Sequence, residues 1–339
     1  MLGTRSLRNT MAPPLVVGSD GPDFCFTFTH MFRSDSSRQT WLYVLDCLFS
    51  VLVVHTLVVF VWRGAWCIFD IFLYPKRYDW SAWGSLTIGY CITIVAFSLQ
   101  PCMMSVVQRM SGFSRVLVVD IYHLFSFFGT VNVWRGVWNL LNFYFLPDNP
   151  VASNWISHVL PFLLLVLLNS ANSILVRGVY IDAEEEGGQC VEFPIYYLRL
   201  LPCTPSLSFS SSRQTWLYVL DCLFSVLVVH TLVVFVWRGA WCIFDIFLYP
   251  KRYDWSAWGS LTIGYCITIV AFSLQPCMMS VVQRMSGFSR VLVVDIYHLF
   301  SFFGTVNVWR GVWNLLNFYF LPGCTGALNV LKVPTIRLS

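Results

Sequence analysis

Apolar residues come in long unbroken blocks along this chain, with polar residues confined to short gaps between them. The run LYVLDCLFSVLVVHTLVVFV lies between Trp41 and Trp62 and predicts a first membrane-spanning helix. About 20 residues at ~1.5 Å each match a hydrocarbon core of ~30 Å, and tryptophans at both ends suit the two interfaces. Residues 63–74 form a shorter apolar piece, stopped by Pro75 and the turn Lys76-Arg77-Tyr78-Asp79. A dozen residues span only ~18 Å, so this piece crosses only by continuing the preceding helix or where the bilayer is thinned. Residues 83–104 predict the next span, and 108–114 a polar turn. Residues 115–133 predict a further span that leads straight into a second short piece, 134–146, stopped by Pro147. Residues 155–175, kinked at Pro161, form the last unique span.

The pattern then starts again. Residues 36–147 and 211–322 are the same 112 residues, displaced by 175 positions. Repeat architectures keep core positions and let the surface drift. Here lipid-facing, buried and loop positions are all unchanged, which no packing requirement explains. The identity marks a recent duplication or one stretch of gene counted twice. An older repeat lies inside each copy: Val61-Trp62-Arg63-Gly64-Ala65-Trp66 answers Val133-Trp134-Arg135-Gly136-Val137-Trp138, 72 residues later. Pro75 and Pro147 stop both stretches at the same distance, and Cys67 and Asp70 fall opposite Asn139 and Asn142. Two-half construction with interrupted segments at matching positions is common among transporters and also occurs in membrane proteins that transport nothing.

The expected fold is therefore all-α: a polytopic transmembrane helical bundle with internal pseudo-repeats, carrying short W-R-G-x-W helices. Residues 1–40 have no apolar run that could serve as a signal-peptide core and are expected to form a disordered cytoplasmic tail. The first span then acts as an uncleaved anchor. Residues 41–176 are expected to hold about four long spans and two short helices. Residues 177–210 form an acidic loop and linker with Glu184, Glu185 and Glu186 in one run. Residues 211–322 repeat the membrane part, and 323–339 form an unstructured tail. Arg33 and Arg38 place the N-terminal flank in the cytoplasm by the positive-inside rule, and the acidic loop follows it there.

Composition agrees with the blocks: 57% of residues are hydrophobic and only 11% charged, against about 25% charged in soluble domains. The net charge of +4 comes without a basic face or arm, so nucleic acid is not an expected partner; the lipid bilayer is. Most of the 12 cysteines lie in or beside apolar runs, and no pair has zinc-ligand spacing. They read as small apolar fillers. No H-E-x-x-H, P-loop, G-x-S-x-G or dinucleotide fingerprint occurs, so neither an enzyme nor a cofactor is expected.

The W-R-G-x-W motif is the best candidate for chemistry. An arginine at membrane depth costs about 3 kcal/mol or more and is usually paired, watered or snorkelling. Arg63, Cys67 and Asp70 share a helix face at i, i+4 and i+7, as do Arg135, Asn139 and Asn142. Two polar stripes would face each other across the pseudo-symmetry axis, with Asp70 paired to Arg63 or to Arg135. Three readings stand: a ligand or ion site, a structural buried pair, or snorkelling arginines between interface tryptophans. Asp120 and His123, at i and i+3, could share a proton or an ion, or serve as hydrogen-bonded interhelical glue.

The pattern V-W-R-G-x-W-x-x-x-[DN], ending at Pro75 and Pro147, together with NSANSILVRGVYIDA and EEEGGQCVEFPIYYLR, resembles the Fuseless family of multi-pass animal membrane proteins. The resemblance covers about residues 38–200, and again 213–322 as a repeat of its first part. It implies a presynaptic plasma-membrane protein that supports neurotransmitter release and organises voltage-gated calcium channels with active-zone proteins. No catalytic residues are defined for the family. A small-solute or ion transporter with its site at the paired W-R-G-x-W helices is the alternative. The chain departs from the family pattern after about residue 201, where further spans of its own are expected and the first span restarts.

Overall fold

The computed structural model describes residues 37–168, 170–175 and 211–320. Two compact units divide the chain between Asp46 and Cys47. Of the first unit, the described residues are the start of α1 (Ser37–Phe49). The second holds α2 (His55–Phe72), α3 (Tyr78–Val107), α4 (Gly112–Tyr144), α5 (Pro150–Leu167), α6 (Ser211–Phe224), α7 (His230–Phe247), α8 (Tyr253–Gln283) and α9 (Gly287–Leu315). Single π turns, Ser50–Val54 and Ser225–Val229, join α1 to α2 and α6 to α7, and a third, Leu316–Phe320, ends α9. The described residues are almost entirely helical, and the protein is a helical integral membrane bundle. Among the described residues, seven helices are long and apolar enough to cross a membrane: Val44–Phe72, Tyr78–Val107, Gly112–Tyr144, Pro150–Leu167, Trp216–Phe247, Tyr253–Gln283 and Gly287–Phe320.

The two short helices expected from the sequence do not exist as separate elements. Residues 63–72 finish the 29-residue helix Val44–Phe72, and 134–144 finish the 33-residue α4. Neither a proline nor a polar turn interrupts the hydrogen-bonded ladder before them, and glycine in a membrane helix serves close packing more than breaking. Trp62 is accordingly no interface anchor, since its helix runs ten residues further. The last unique span also shifts. It starts at Pro150, where Asn149 accepts a hydrogen bond from the Ala152 amide and proline supplies its preset φ at the first helical position. It ends at Leu167, and Ala171–Leu175 form a 3₁₀ turn.

The stops are shared. Tyr74, Leu146 and Tyr249 each take positive φ, 50°, 52° and 50°, and each is followed by a proline. A left-handed residue with a side chain costs roughly 1–2 kcal/mol; it helps reverse the chain within the five residues between helices, 73–77, 145–149 and 248–252, so successive helices become antiparallel neighbours. α3 packs on α4 through a stripe of small residues four apart, Ser81, Ser85, Gly89 and Thr93, all buried. An added Cβ at Gly129 of α4 would lie 2.8 Å from Thr93 Oγ1. Close approach of small faces is the usual source of helix association in lipid. α8 and α9 repeat this pair, with Ser256, Ser260, Gly264 and Thr268 buried.

Candidate functional site

Four helices, α2, α4, α7 and α9, carry the W-R-G-x-W motif, and the structure arranges them as a closed ring. Trp62, Trp134, Trp237 and Trp309 meet edge to face in that order, with centroids 5.4, 5.3, 5.5 and, back to Trp62, 5.4 Å apart. The interplanar angles are 71°, 71°, 73° and 71°. One turn on, Trp66, Trp138, Trp241 and Trp313 form a second ring in the same order, at 6.2, 5.7, 6.1 and 5.7 Å. Because both rings visit the helices in one order and at successive levels, the four helices run parallel. Edge-to-face pairs contribute about 0.5–1.5 kcal/mol each beyond burial, so eight of them give the axis an aromatic core of its own.

The arginines close the same ring from outside the tryptophans. Each donates from Nε to the Asp or Asn seven residues after the arginine of a neighbouring motif. Arg135 donates to Asp70 Oδ1 at 2.8 Å, Arg238 to Asn142 Oδ1 at 2.8 Å, Arg310 to Asp245 Oδ1 at 2.8 Å, and Arg63 to Asn317 Oδ1 at 2.9 Å. Four bonds thus join α4 to α2, α7 to α4, α9 to α7 and α2 to α9. All four arginines are buried, between 1% and 5% exposed. A charge removed from water costs several kcal/mol unless paired and hydrogen-bonded; the ring gives Arg135 and Arg310 a carboxylate partner and Arg238 and Arg63 an amide oxygen.

Outer helices complete three of the corners. Arg135 also donates to Ser81 Oγ at 2.6 Å and to Ser85 Oγ, both on α3. Arg310 does the same with Ser256 at 2.6 Å and Ser260 on α8. Arg238 donates to Ser153 and Ser157 of α5, each at 3.3 Å. The glycine after each of these three arginines lets the outer helix reach the guanidinium. A Cβ at Gly136, Gly239 or Gly311 would lie 2.6 Å from the backbone nitrogen of Leu86, His158 or Leu261. These serines were not singled out from the sequence, although the signal is there. Ser81-Ala82-Trp83 and Ser153-Asn154-Trp155 stand at the same 72-residue displacement as the W-R-G-x-W motifs.

Contacts between the two copies are reciprocal. Tyr90 hydroxyl shares a hydrogen bond with Thr231 at 2.6 Å, and Tyr265 with Thr56 at 2.8 Å. Arg63 reaches Asn317 as Arg238 reaches Asn142. Such exchange of equivalent partners is the mark of a two-fold arrangement, laid over the approximate four-fold ring made by the older repeat.

Of the residues expected to form a polar site, the structure brings Arg135 and Asp70 together, and gives Arg63 to Asn317 instead of to Asp70. Asn142 belongs to the ring as the acceptor for Arg238, and Asn139 is half-buried one turn before it. Asp120 lies exposed on α4 and His123 half-buried beside Tyr122. At ~1.5 Å per residue they stand about 18 Å or more from Arg135 along the helix, so they are not part of the ring. Among the described residues no group of His, Cys, Asp or Glu could hold a metal ion. The Glu184–Glu186 run, together with Cys25, Cys190, Cys203 and Cys324, lies outside the described residues.

The ring and its lipid-facing exterior define a polytopic helical membrane protein built from repeated inner-and-outer helix pairs. Residues 1–175 and 204–333 match the family model described as Fuseless, and the chain belongs to the Fuseless family. No curated protein and no solved structure matches it.

Proposed function

We propose that this protein is a non-enzymatic membrane scaffold of the presynaptic plasma membrane, supporting neurotransmitter release by organising voltage-gated calcium channels. The synaptic setting follows from what membership of the family implies. The observation that supports a scaffold over a carrier is the use made of the intramembrane charges. Functional polar residues in transporters usually face a watered cavity or a substrate path. Here Arg135, Arg238 and Arg310 spend their donors on side chains of neighbouring helices, and tryptophans occupy the axis they surround. Charges used in this way hold helices in a fixed order, which suits a rigid platform whose outer faces meet other membrane proteins.

The test is to remove the protein from neurons that make it and image calcium channels at release sites. Loss of channel clusters, restored by re-expression, is expected. Channels that keep their number and position would contradict the reading. So would a solute or ion flux, in vesicles holding the purified protein, that disappears with Arg135→Gln.

A further inference from the structure

The outer helix α3 opens on residues that the arginine ring does not use. Arg77 pairs with Asp79, Nε donating to Oδ1 and Nη2 to Oδ2, each at 3.4 Å. Its guanidinium lies over Trp80, 5.7 Å from the ring centroid. Trp83 stands three residues further on the same helix face, and Tyr144 ends the antiparallel neighbour α4. Asp79, Trp80, Trp83 and Tyr144 together line a groove of ≈ 380 Å³, toward the lower end of the ~300–1,000 Å³ usual for small-ligand sites. The motif tryptophans pack on one another, but Trp80, Trp83 and Tyr144 are 57%, 53% and 62% exposed. The second copy repeats the charge pair, Arg252 to Asp254 at 3.3 Å, and places Arg252 over Trp255 at 5.6 Å.

An internal comparison separates this set from the fold. α5 brings Ser153 and Ser157 to its arginine as α3 brings Ser81 and Ser85. Yet at the 72-residue displacement Asn149, Val151 and Ala152 stand where α3 has Arg77, Asp79 and Trp80. Covering the ring therefore needs neither the charge pair nor the indole. Anchoring at the headgroup level accounts for tryptophans at a helix end, but not for a carboxylate set among three aromatic rings beside a guanidinium. Aromatic faces with a nearby carboxylate suit a quaternary ammonium, which has no N–H to donate and is held by the ring quadrupoles. A primary ammonium is more strongly hydrated and gains less from such a place. Only two of the five N–H donors of Arg77 go to Asp79, so others remain for a phosphate. We infer that the groove receives the phosphocholine headgroup of a membrane lipid. The trimethylammonium sits against Trp80, Trp83 and Tyr144 beside Asp79, and the phosphate sits on Arg77. The lipid chains then run down the outer face of α3 toward the middle of the bilayer.

The experiment uses the full chain, purified in detergent and stripped of lipid. Phosphatidylcholine, phosphatidylethanolamine and phosphatidylglycerol with the same acyl chains are added in equal amounts, and native mass spectrometry reads which lipid stays bound. The choline lipid should be held about tenfold over the other two, equivalent to about 1.4 kcal/mol. Both copies are changed together, because both carry these residues. Trp83→Leu with Trp258→Leu should remove the preference, and so should Asp79→Asn with Asp254→Asn. These tryptophans are each 53% exposed and the aspartate side chains 46%, so both variants should keep the parent's helix content by circular dichroism. Equal retention of the three lipids by the parent chain overturns the inference, as does a preference that survives both variants. Free choline separates a lipid from a soluble cation carrying the same quaternary ammonium. It should fail to displace the lipid at equal concentration, since it lacks the phosphate and the chains. Displacement under those conditions would assign the groove to the soluble cation and overturn the lipid.

Discussion

Arg135 Nε donates to Asp70 Oδ1 across 2.8 Å, tying the end of α4 to the end of α2 within one copy of the duplicated block; Arg310 and Asp245 repeat the bond in the other. Between copies the same role passes to amides, Asn142 for Arg238 and Asn317 for Arg63. One acceptor position therefore accommodates either a carboxylate or an amide, and the ring closes through both.

Replacing Asp70 by alanine leaves Arg135 buried with its serines but without its charge partner. Breaking a buried pair in this way costs about 3–5 kcal/mol, so Asp70→Ala should lower the midpoint of thermal unfolding in detergent. Asp70→Asn should retain much of the stability, because asparagine already fills the equivalent place at two corners. A midpoint equal to the parent's for Asp70→Ala would show that the pair does not hold the ring.

The glycines of the motif make a sharper comparison. Gly239→Ala puts a methyl 2.6 Å from the backbone of α5, while Gly64→Ala puts one in open space. Overpacking of a closed interface costs about 1–3 kcal/mol. Gly239→Ala should therefore destabilise the protein by about that amount, and Gly64→Ala should be close to neutral. Equal effects at these two identical sequence positions would contradict the difference in cover.

Trp134 touches Trp62 on one side and Trp237 on the other. Trp134→Ala removes both contacts and opens a cavity, for a loss of about 3–5 kcal/mol. A double-mutant cycle between Trp134 and Trp237 should return a coupling of about 0.5–1.5 kcal/mol. A coupling indistinguishable from zero would mean that the rings are neighbours without mutual stabilisation.

Much of the secondary structure is legible in the sequence. The apolar blocks, the stops at Pro75 and Pro147, and the stripe that places an Asp or Asn seven residues after each motif arginine all appear in the fold. Two features were not legible, for different reasons. Whether residues 63–72 form a separate short helix depends on whether the backbone ladder passes through Gly64, and glycine is compatible with either outcome. The order of the ring depends on which helix stands beside which. Arg63 and Asp70 share a face at i and i+7, so local periodicity would allow them to pair. Packing separates them and sends Arg63 to a residue 254 positions away. The outer serines lie between these cases, present in the repeat yet meaningful only once α3 and α5 are known to cover the arginines.

The central claim is that α2, α4, α7 and α9 form one closed ring in that order. The direct measurement is pairwise cross-linking of cysteines placed at Trp66, Trp138, Trp241 and Trp313 in a background without other cysteines. Neighbouring pairs should react with a short bifunctional reagent, including the closing pair 66 and 313, whose native rings are 5.7 Å apart. The diagonal pairs, 66 with 241 and 138 with 313, should react much more slowly. Diagonals that react as fast as neighbours, or a closing pair that does not react, would contradict the ring.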